Sequence, residues 1–288
     1  MATSTKSILV TGCSSGIGRH CALGLKARGW RVFATARKTE DLEALRGEGL
    51  EAVALDLDDS NSIAAAVEQV LSATGGTLDA LFNNAGYGQP GAIEDLRRDV
   101  LRAQFETNVF GTVELTNRII PVMRRQGQGR IVQNSSVLGF VALPYRGAYN
   151  ASKYALEGLY DTWRLELAGS GIHFSLIEPG PIESRFRANA YAMFRKNVDA
   201  EHSAHRQTYQ AMVRRLTKEG PAAPFTLGPE AVLKALLHAL ESPRPRARYY
   251  VTVPTHLFGW LKRLLPTRTL DAVLLRVSRG ETRREKPR

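Results

Sequence analysis

The stretch Lys6-Ser7-Ile8-Leu9-Val10-Thr11-Gly12-Cys13-Ser14-Ser15-Gly16-Ile17-Gly18 decides how this chain is read. Residues 6–11 are a short β-rich run, the composition of a buried strand. Residues 17–28 carry apolar side chains at helical spacing and stop at Gly29. Gly12 permits a tight turn between the two, Gly16 lets the backbone approach a ligand, and Gly18 lets the helix pack near the strand. With Ser14, Ser15 and Ile17 these glycines form a turn at a helix N-terminus, where free N–H groups and the positive dipole end suit a pyrophosphate. A glycine-rich turn alone is weak evidence; the strand–turn–helix context gives this one its meaning.

Outward from this unit, strands and helices alternate. Strands are expected at 31–36, 51–55, 78–82, 130–135, 172–178 and 248–253. Helices are expected at 39–46, capped by Thr39, at 63–73, capped by Ser60, and at 147–167 and 229–240. A long helical stretch at 99–125 is expected to bend near Pro121. The strands are apolar on both faces, which predicts a parallel sheet covered by helices on both sides. That is an α/β doubly wound parallel sheet, the Rossmann fold, which places ligands at the carboxyl ends of its strands. Residues 183–227 break the alternation after a strand's carboxyl end, where a lid or a packed surface excursion would sit. Phe186, Tyr191, Met193, Phe194 and Met212 in that segment could wall an apolar pocket. The expected organisation is one domain over 1–255, with a basic amphipathic extension over 256–288.

Composition sets outer bounds. The 288 residues are 43% hydrophobic and 23% charged, which excludes a disordered chain. No apolar run is long enough to cross a membrane, and Met1–Ser7 has no apolar signal region, so a cytoplasmic location is expected. Cys13 and Cys21 do not make a disulfide framework. His20, His173, His202, His205, His238 and His256 lack a trustworthy ligand spacing, so no metal is expected. The net charge of +11 is uneven: residues 244–288 hold 12 Lys and Arg against three Asp and Glu, and the remainder is nearly neutral. A basic tail suggests an anionic surface or simple solvation.

The cofactor and the chemistry are read from residue types. The second strand ends in Ala34-Thr35-Ala36-Arg37-Lys38, without the acid that would hold a ribose 2′-hydroxyl. Arg37 can fork onto a 2′-phosphate, so NADP(H) is expected over NAD(H). Asp56 is placed to accept from the adenine amino group or to cap a turn, with Leu57 beside it. Asn84, in Asn83-Asn84-Ala85-Gly86, is a wall of the cofactor site or a turn former. Tyr149 and Lys153 stand four apart on one helix face. A phenol titrates near ~10, and a neighbouring ammonium favours its ionised form, as a general acid/base near neutral pH requires. Ser136 lies thirteen residues before Tyr149, far enough for a loop to bring the hydroxyls together.

With Gly12-x-x-x-Gly16-x-Gly18, Asn83-Asn84-Ala85-Gly86, Asn108, Ser136, Tyr149-x-x-x-Lys153 and Pro179-Gly180 in this order, residues 5–255 resemble the short-chain dehydrogenase/reductase family. The resemblance implies that Tyr149 moves the substrate proton and Ser136 orients the substrate oxygen. It implies that Lys153 lowers the tyrosine pKa and binds the nicotinamide ribose, and that Asn108 holds a water linking Lys153 to solvent. Ile182 and Ser184 would lie near the nicotinamide carboxamide, Ser184 standing where the family more often has threonine. Ala34-Thr35-Ala36-Arg37 and Glu178-Pro179-Gly180-Pro181-Ile182-Glu183 resemble the branch with 17β-hydroxysteroid and retinol dehydrogenases, which implies a small apolar alcohol or carbonyl substrate. The family also implies a homodimer or homotetramer through the two long central helices.

Three readings of function remain. The first is an NADP(H)-dependent oxidoreductase interconverting an apolar alcohol and its carbonyl. The second is a noncatalytic NADP(H)-binding regulator, which the intact Asn108, Ser136, Tyr149 and Lys153 set argues against. The third is a nucleic-acid binder; no reading motif supports it, so no nucleic-acid partner is expected. In the tail, Leu257, Leu261, Leu264 and Leu265, then Leu270, Val273, Leu274 and Val277, recur at helical spacing beside Phe258, Trp260, Lys262 and Arg263. Arg279, Arg283, Arg284, Lys286 and Arg288 follow. Peripheral contact with a membrane fits this pattern, and so does packing on the body.

Overall fold

A computed structural model of the chain describes residues 5–221 and 223–282. Its first half runs β1 (Ser7–Val10), α1 (Gly16–Ala27), β2 (Arg31–Ala36), α2 (Thr39–Gly47), β3 (Glu51–Ala54), α3 (Ser60–Ala73), β4 (Ala80–Asn83), α4 (Arg98–Phe105), α5 (Gly111–Gln126) and β5 (Gly129–Asn134). The second half runs α6 (Gly147–Glu166), β6 (Ile172–Glu178), α7 (Phe186–Asn197), α8 (Arg206–Thr217), α9 (Glu230–Glu241), β7 (Arg248–Tyr250), α10 (Val253–Leu264) and α11 (Thr267–Thr282). The seven strands form one parallel sheet in the order β3-β2-β1-β4-β5-β6-β7. This is the doubly wound sheet that strand–helix alternation predicts.

Alternate strand residues face two cores. Leu9, Phe33, Val53, Leu81 and Ile131 pack with Ile63, Leu115, Leu156 and Tyr160 from α3, α5 and α6. Ile8, Val10, Ala34, Phe82 and Ile177 pack with Cys21, Leu25, Leu45 and Leu236 from α1, α2 and α9. The strand order reverses between β1 and β4, so the turn after β1 and the Asn-rich turn after β4 open into one crevice.

Several boundaries differ from expectation. Thr39 is the first residue of α2, not its cap; the cap position is Lys38 and makes no side-chain bond. In α3 the cap is Asp59, whose carboxylate accepts from Asn61 N at 2.9 Å, and Ser60 is already helical. Pro121 lies inside α5, and the long helical stretch is interrupted earlier, by a π turn over Glu106–Phe110. That turn aims Asn108 at the strap after β4 and seats Gly111 where a Cβ would lie 2.0 Å from Leu57 O.

The segment after β6 forms α7 and α8, whose Ala190, Phe194, Tyr209, Met212 and Leu216 make a core of their own with Ala92. Phe194 and Met212 therefore hold the lid segment together. The 255/256 boundary expected for the extension falls inside α10. Phe258 and Leu274, with Leu261, Leu270 and Val273, pack on Val137, Phe140, Val141 and Leu143, the segment that follows β5. Val253, Leu257, Trp260 and Leu264 lie on the opposite face of α10 and are exposed. Arg283, Arg284, Lys286 and Arg288 lie outside the described residues. Among the described residues no helix is long and apolar enough to cross a membrane, and no group of three or more His, Cys, Asp and Glu could hold a metal ion.

Candidate active site

The glycine turn is closed from three sides. Gly12 has φ +72°, and a Cβ on it would lie 2.8 Å from Ala85 Cα. A Cβ on Gly18 would lie 2.2 Å from Gly12 O and 2.5 Å from Asn84 Nδ2. Gly16, at φ +58°, faces Ser184, whose Cβ is 3.1 Å from where its own would stand. Only glycine fits a backbone held this closely, and the same absence of side chains lets a pyrophosphate approach. The N-terminus of α1 has no side-chain cap at Ser15 and no acid in its first turn, so its N–H groups stay open to an anion. These features fit a dinucleotide phosphate. Ile17 and Ile182 pack against the buried core beneath the turn, and Ser184 Oγ accepts from Phe186 N at 3.4 Å.

Thr11, at the head of the glycine motif, organises this turn. Its Oγ1 accepts from both Asn84 N and Ala85 N at 2.9 Å, and Asn84 Nδ2 donates to Thr11 O at 2.9 Å and Gly12 O at 3.2 Å. Asn84 is thus a clasp between the β1 and β4 turns. Asn134, at the end of β5, donates from Nδ2 to Asn84 Oδ1 at 3.0 Å. A residue at a strand's carboxyl end, one place before Ser135-Ser136, was the available signal for Asn134. At the other end of the crevice, Arg37 Nη1 lies 3.9 Å from Asp56 Oδ1, and both side chains are largely open to water. Asp56 Oδ1 also accepts from Asp58 N at 3.2 Å, which is the turn-forming role. The Leu57 side chain is in the core.

Ser136, Tyr149 and Lys153 converge at the carboxyl ends of β4 and β5. Ser136 is held on a short 3₁₀ turn, where its Oγ accepts from Leu138 N at 3.1 Å. It is hydrogen-bonded to Tyr149. Burial pushes the Tyr149 phenol well above its ordinary value, and the Ser136 hydrogen bond only partly offsets this. Burial dominates at this phenol, and the Lys153 ammonium lies over its ring, 5.6 Å from the centroid. Lys153 Nζ donates to Asn134 O at 2.8 Å. Burial lowers the ammonium to about 8, against the pull of Glu157, one turn further along α6.

Asn108 joins the site from the π turn. Its Nδ2 donates to Tyr87 O at 3.0 Å and Ser152 Oγ at 3.1 Å, and its Oδ1 accepts from Tyr87 N at 3.1 Å. It therefore ties the strap containing Gly86 to the residue before Lys153. Pro179 O accepts from Val137 N at 2.9 Å, and a Cβ on Gly180 would lie 2.2 Å from Thr252 Oγ1. These contacts lock the turn after β6 to the Ser136 loop and to β7. Phe186 stands edge-on to Tyr149, with ring centroids 5.3 Å apart, and is the lid residue nearest the chemistry. A cleft of about 480 Å³ lined by Ala92, Ile93, Glu94, Pro144, Tyr145 and His205 opens beside the lid.

The sequence profile of the short chain dehydrogenases matches residues 6–194. The chain belongs to the short-chain dehydrogenase/reductase family. It is 45% identical over 269 residues to "Uncharacterized oxidoreductase YbbO" of Escherichia coli strain K12, covering 93% of this chain and 94% of that one. It is 38% identical to human 17-beta-hydroxysteroid dehydrogenase type 1, over 85% of this chain and 77% of the relative. It is 35% identical to human retinol dehydrogenase 8, over 86% and 82%. Both relatives lie in the branch that the sequence resembles. A short-chain dehydrogenase from Streptomyces avermitilis matches the fold with a TM-score of 0.74 at 31% identity, over 97% of this chain and 99% of that one. A family member from Burkholderia phymatum, solved with NAD, matches with a TM-score of 0.75 at 25% identity, over 94% and 95%. The chain is an oxidoreductase of this family, with the uncapped N-terminus of α1 and the Ser136–Tyr149–Lys153 cluster at the carboxyl ends of its strands.

Proposed function

We propose that the chain is an NADP(H)-dependent oxidoreductase that interconverts an apolar primary or secondary alcohol and its aldehyde or ketone. The observation that carries this reading is the convergence of Ser136, Tyr149 and Lys153 beside the uncapped N-terminus of α1. When bound, the nicotinamide supplies or accepts the hydride. Gly12, Ser14, Ser15, Gly16, Ile17 and Gly18 would hold the pyrophosphate. Arg37 would meet the 2′-phosphate, and Asp56 and Leu57 the adenine. Asn84, Ala85, Gly86, Pro179, Gly180, Ile182 and Ser184 would line the nicotinamide end. Ser136 donates a hydrogen bond to the substrate oxygen and sets its distance from Tyr149. The buried phenol holds its proton at neutral pH, which suits Tyr149 to protonate the oxygen of a carbonyl undergoing reduction. Lys153 binds the ribose hydroxyls with the donors that Asn134 leaves, and Asn108 would hold the water that returns a proton to it.

Residues 1–255 would serve as the cofactor-binding catalytic unit and 183–227 as the lid, with Phe186 against the substrate. Phe110, closing the π turn before α5, and Leu165 on α6 are exposed, which supports self-association into a dimer or tetramer. The test is NADPH consumption with aliphatic, steroid and retinoid ketones or aldehydes, repeated with NADH. Efficiency should rise with apolar chain length, by about 0.8 kcal/mol for each buried methylene. A flat series, or a preference for NADH, contradicts the substrate or the cofactor assignment respectively.

The C-terminal hairpin supports a location for the same enzyme in the cytoplasm, peripheral to a membrane. Val253, Leu257, Trp260 and Leu264 form one exposed stripe along α10, and His256 and Arg263 flank it. A second copy docking on this stripe would set Arg263 against itself, and four side chains fall short of the ~800 Å² per partner that a stable dimer needs. An anionic bilayer accepts both the apolar stripe and the Arg263 guanidinium.

A further inference from the structure

Glu157 lies beneath the Ser136–Tyr149–Lys153 cluster, and the mechanism above makes no use of it. It stands four residues after Lys153 on α6, with only 7% of its surface exposed. Its Oε1 accepts from the hydroxyl of Ser135, the residue before Ser136. That oxygen also sits 2.9 Å from where a Cβ on Gly139 would be, so the 3₁₀ turn bearing Ser136 closes directly onto the carboxylate. Arg248 Nη2 donates to Glu157 Oε2 at 2.9 Å from β7. One carboxylate therefore joins the end of β5, the serine turn, α6 and β7.

A second buried acid completes the arrangement. Glu178, at the end of β6, is fully buried; Arg248 Nε donates to its Oε1 at 3.0 Å, while its Oε2 has no donor facing it. Glu178 also lies within hydrogen-bonding reach of Glu157, and two carboxylates there are joined only when one carries a proton. Burial, with the Glu157 charge beside it, pushes Glu178 up to about 9, so Glu178 is the protonated member at neutral pH. The ionised groups around Lys153 then sort themselves. Glu157 is the anion nearest along α6, and Asp161, two turns on, is neutralised by Arg248 and Arg164. Arg248 comes from β7 with the phenol Tyr250, Lys262 from α10 reaches Phe140 O, and Tyr149 stays a neutral phenol. A buried ammonium without a counter-charge loses its proton, and Glu157 is the anion that opposes this at Lys153.

The geometry points to Glu157 as a positioning residue for the lysine of the proposed reaction: fixed by Ser135 and Arg248 one turn from Lys153 on α6, its carboxylate is the counter-charge of that ammonium and holds the serine turn against α6. This inference rests on the function proposed above for Lys153, but its electrostatic half can be read without turnover. The experiment titrates Lys153 in the full-length protein by the NMR signal of its ¹³Cε, identified by its absence from Lys153→Arg. It also records the pH profile of NADPH-dependent ketone reduction. Glu157→Gln keeps the shape and removes the charge; the Lys153 midpoint and the alkaline limb of kcat/KM should both fall, by about one pH unit. Glu157→Asp draws the carboxylate back by one methylene and should lower the midpoint by less. Glu178→Gln imitates the protonated acid and should leave the midpoint where the wild type has it. An unchanged Lys153 midpoint in the folded Glu157 variants overturns the inference, as does a Glu178→Gln variant that shifts as far as Glu157→Gln. If the wild type turns over no carbonyl, the proposed function fails, while the titration still decides whether Glu157 holds the lysine charged.

Discussion

Arg37 and Asp56 face each other across 3.9 Å where the proposed cofactor's adenosine ribose would lie, with side chains 65% and 42% exposed. A pair this open is worth only ~0–1 kcal/mol, so the guanidinium can turn from the carboxylate to a 2′-phosphate at small cost. The charge-assisted bond it would make there is worth ~1.5–3 kcal/mol, which outweighs the surface pair. Arg37→Asp should therefore weaken NADPH roughly tenfold to a hundredfold while NADH changes far less, as checked by fluorescence titration of both cofactors. Gly18 makes a steric prediction of the same kind. Gly18→Ala would push a methyl group into Gly12 O and Asn84 Nδ2, and should cost about 1–3 kcal/mol of stability together with most dinucleotide affinity. Thermal unfolding and the same titration would measure the two losses.

The C-terminal helices show where sequence patterning stopped. Spacing identified Leu257, Leu261, Leu264, Leu270, Val273 and Leu274 as one apolar set, but α10 is apolar on two faces and periodicity does not say which meets the body. The structure divides them: Phe258 and Leu274 are buried against Val141, and Leu257, Trp260 and Leu264 face outward. Leu274→Ala should cost about 2–5 kcal/mol in denaturant unfolding. The pair Leu257→Ser and Trp260→Ser should stay within about 0.5 kcal/mol each yet abolish cosedimentation with anionic liposomes at low salt. If the wild type remains in the supernatant, the stripe is not a membrane face. Elsewhere the sheet was legible because its strands are apolar runs bounded by turn residues, and Ser136, Tyr149 and Lys153 because their order is so specific. The π turn at Glu106–Phe110 was not, since it follows from where Asn108 and Gly111 must pack, which is a tertiary demand on an otherwise helical sequence. The bonds of Thr11, and Asn134 and Glu157 altogether, were not legible for a related reason: each reaches across elements far apart in the chain.

Across the whole molecule, the buried Glu178 and the nearby Lys153 bear on the response to pH. Glu178 is raised to about 9 in the folded chain, so above pH ~4.5 the unfolded state holds fewer protons than the folded one. Stability should then be greatest near pH 5 and decline as pH rises toward 9, by at most about 1.4 kcal/mol per unit from this group. Between pH 5 and 7 Lys153, at about 8, is protonated in both states and does not oppose the trend. Denaturant midpoints should show this slope, and Glu178→Gln should flatten it. The central claim is that the buried Tyr149 phenol is the proton donor of a carbonyl reductase, and Tyr149→Phe tests it with the fold and cradle left intact. General acid catalysis is worth roughly 100-fold to 10,000-fold, so NADPH-dependent reduction of a bulky apolar ketone should fall by that factor while NADPH still binds with its wild-type affinity. A Tyr149→Phe enzyme that keeps its turnover would contradict the assignment.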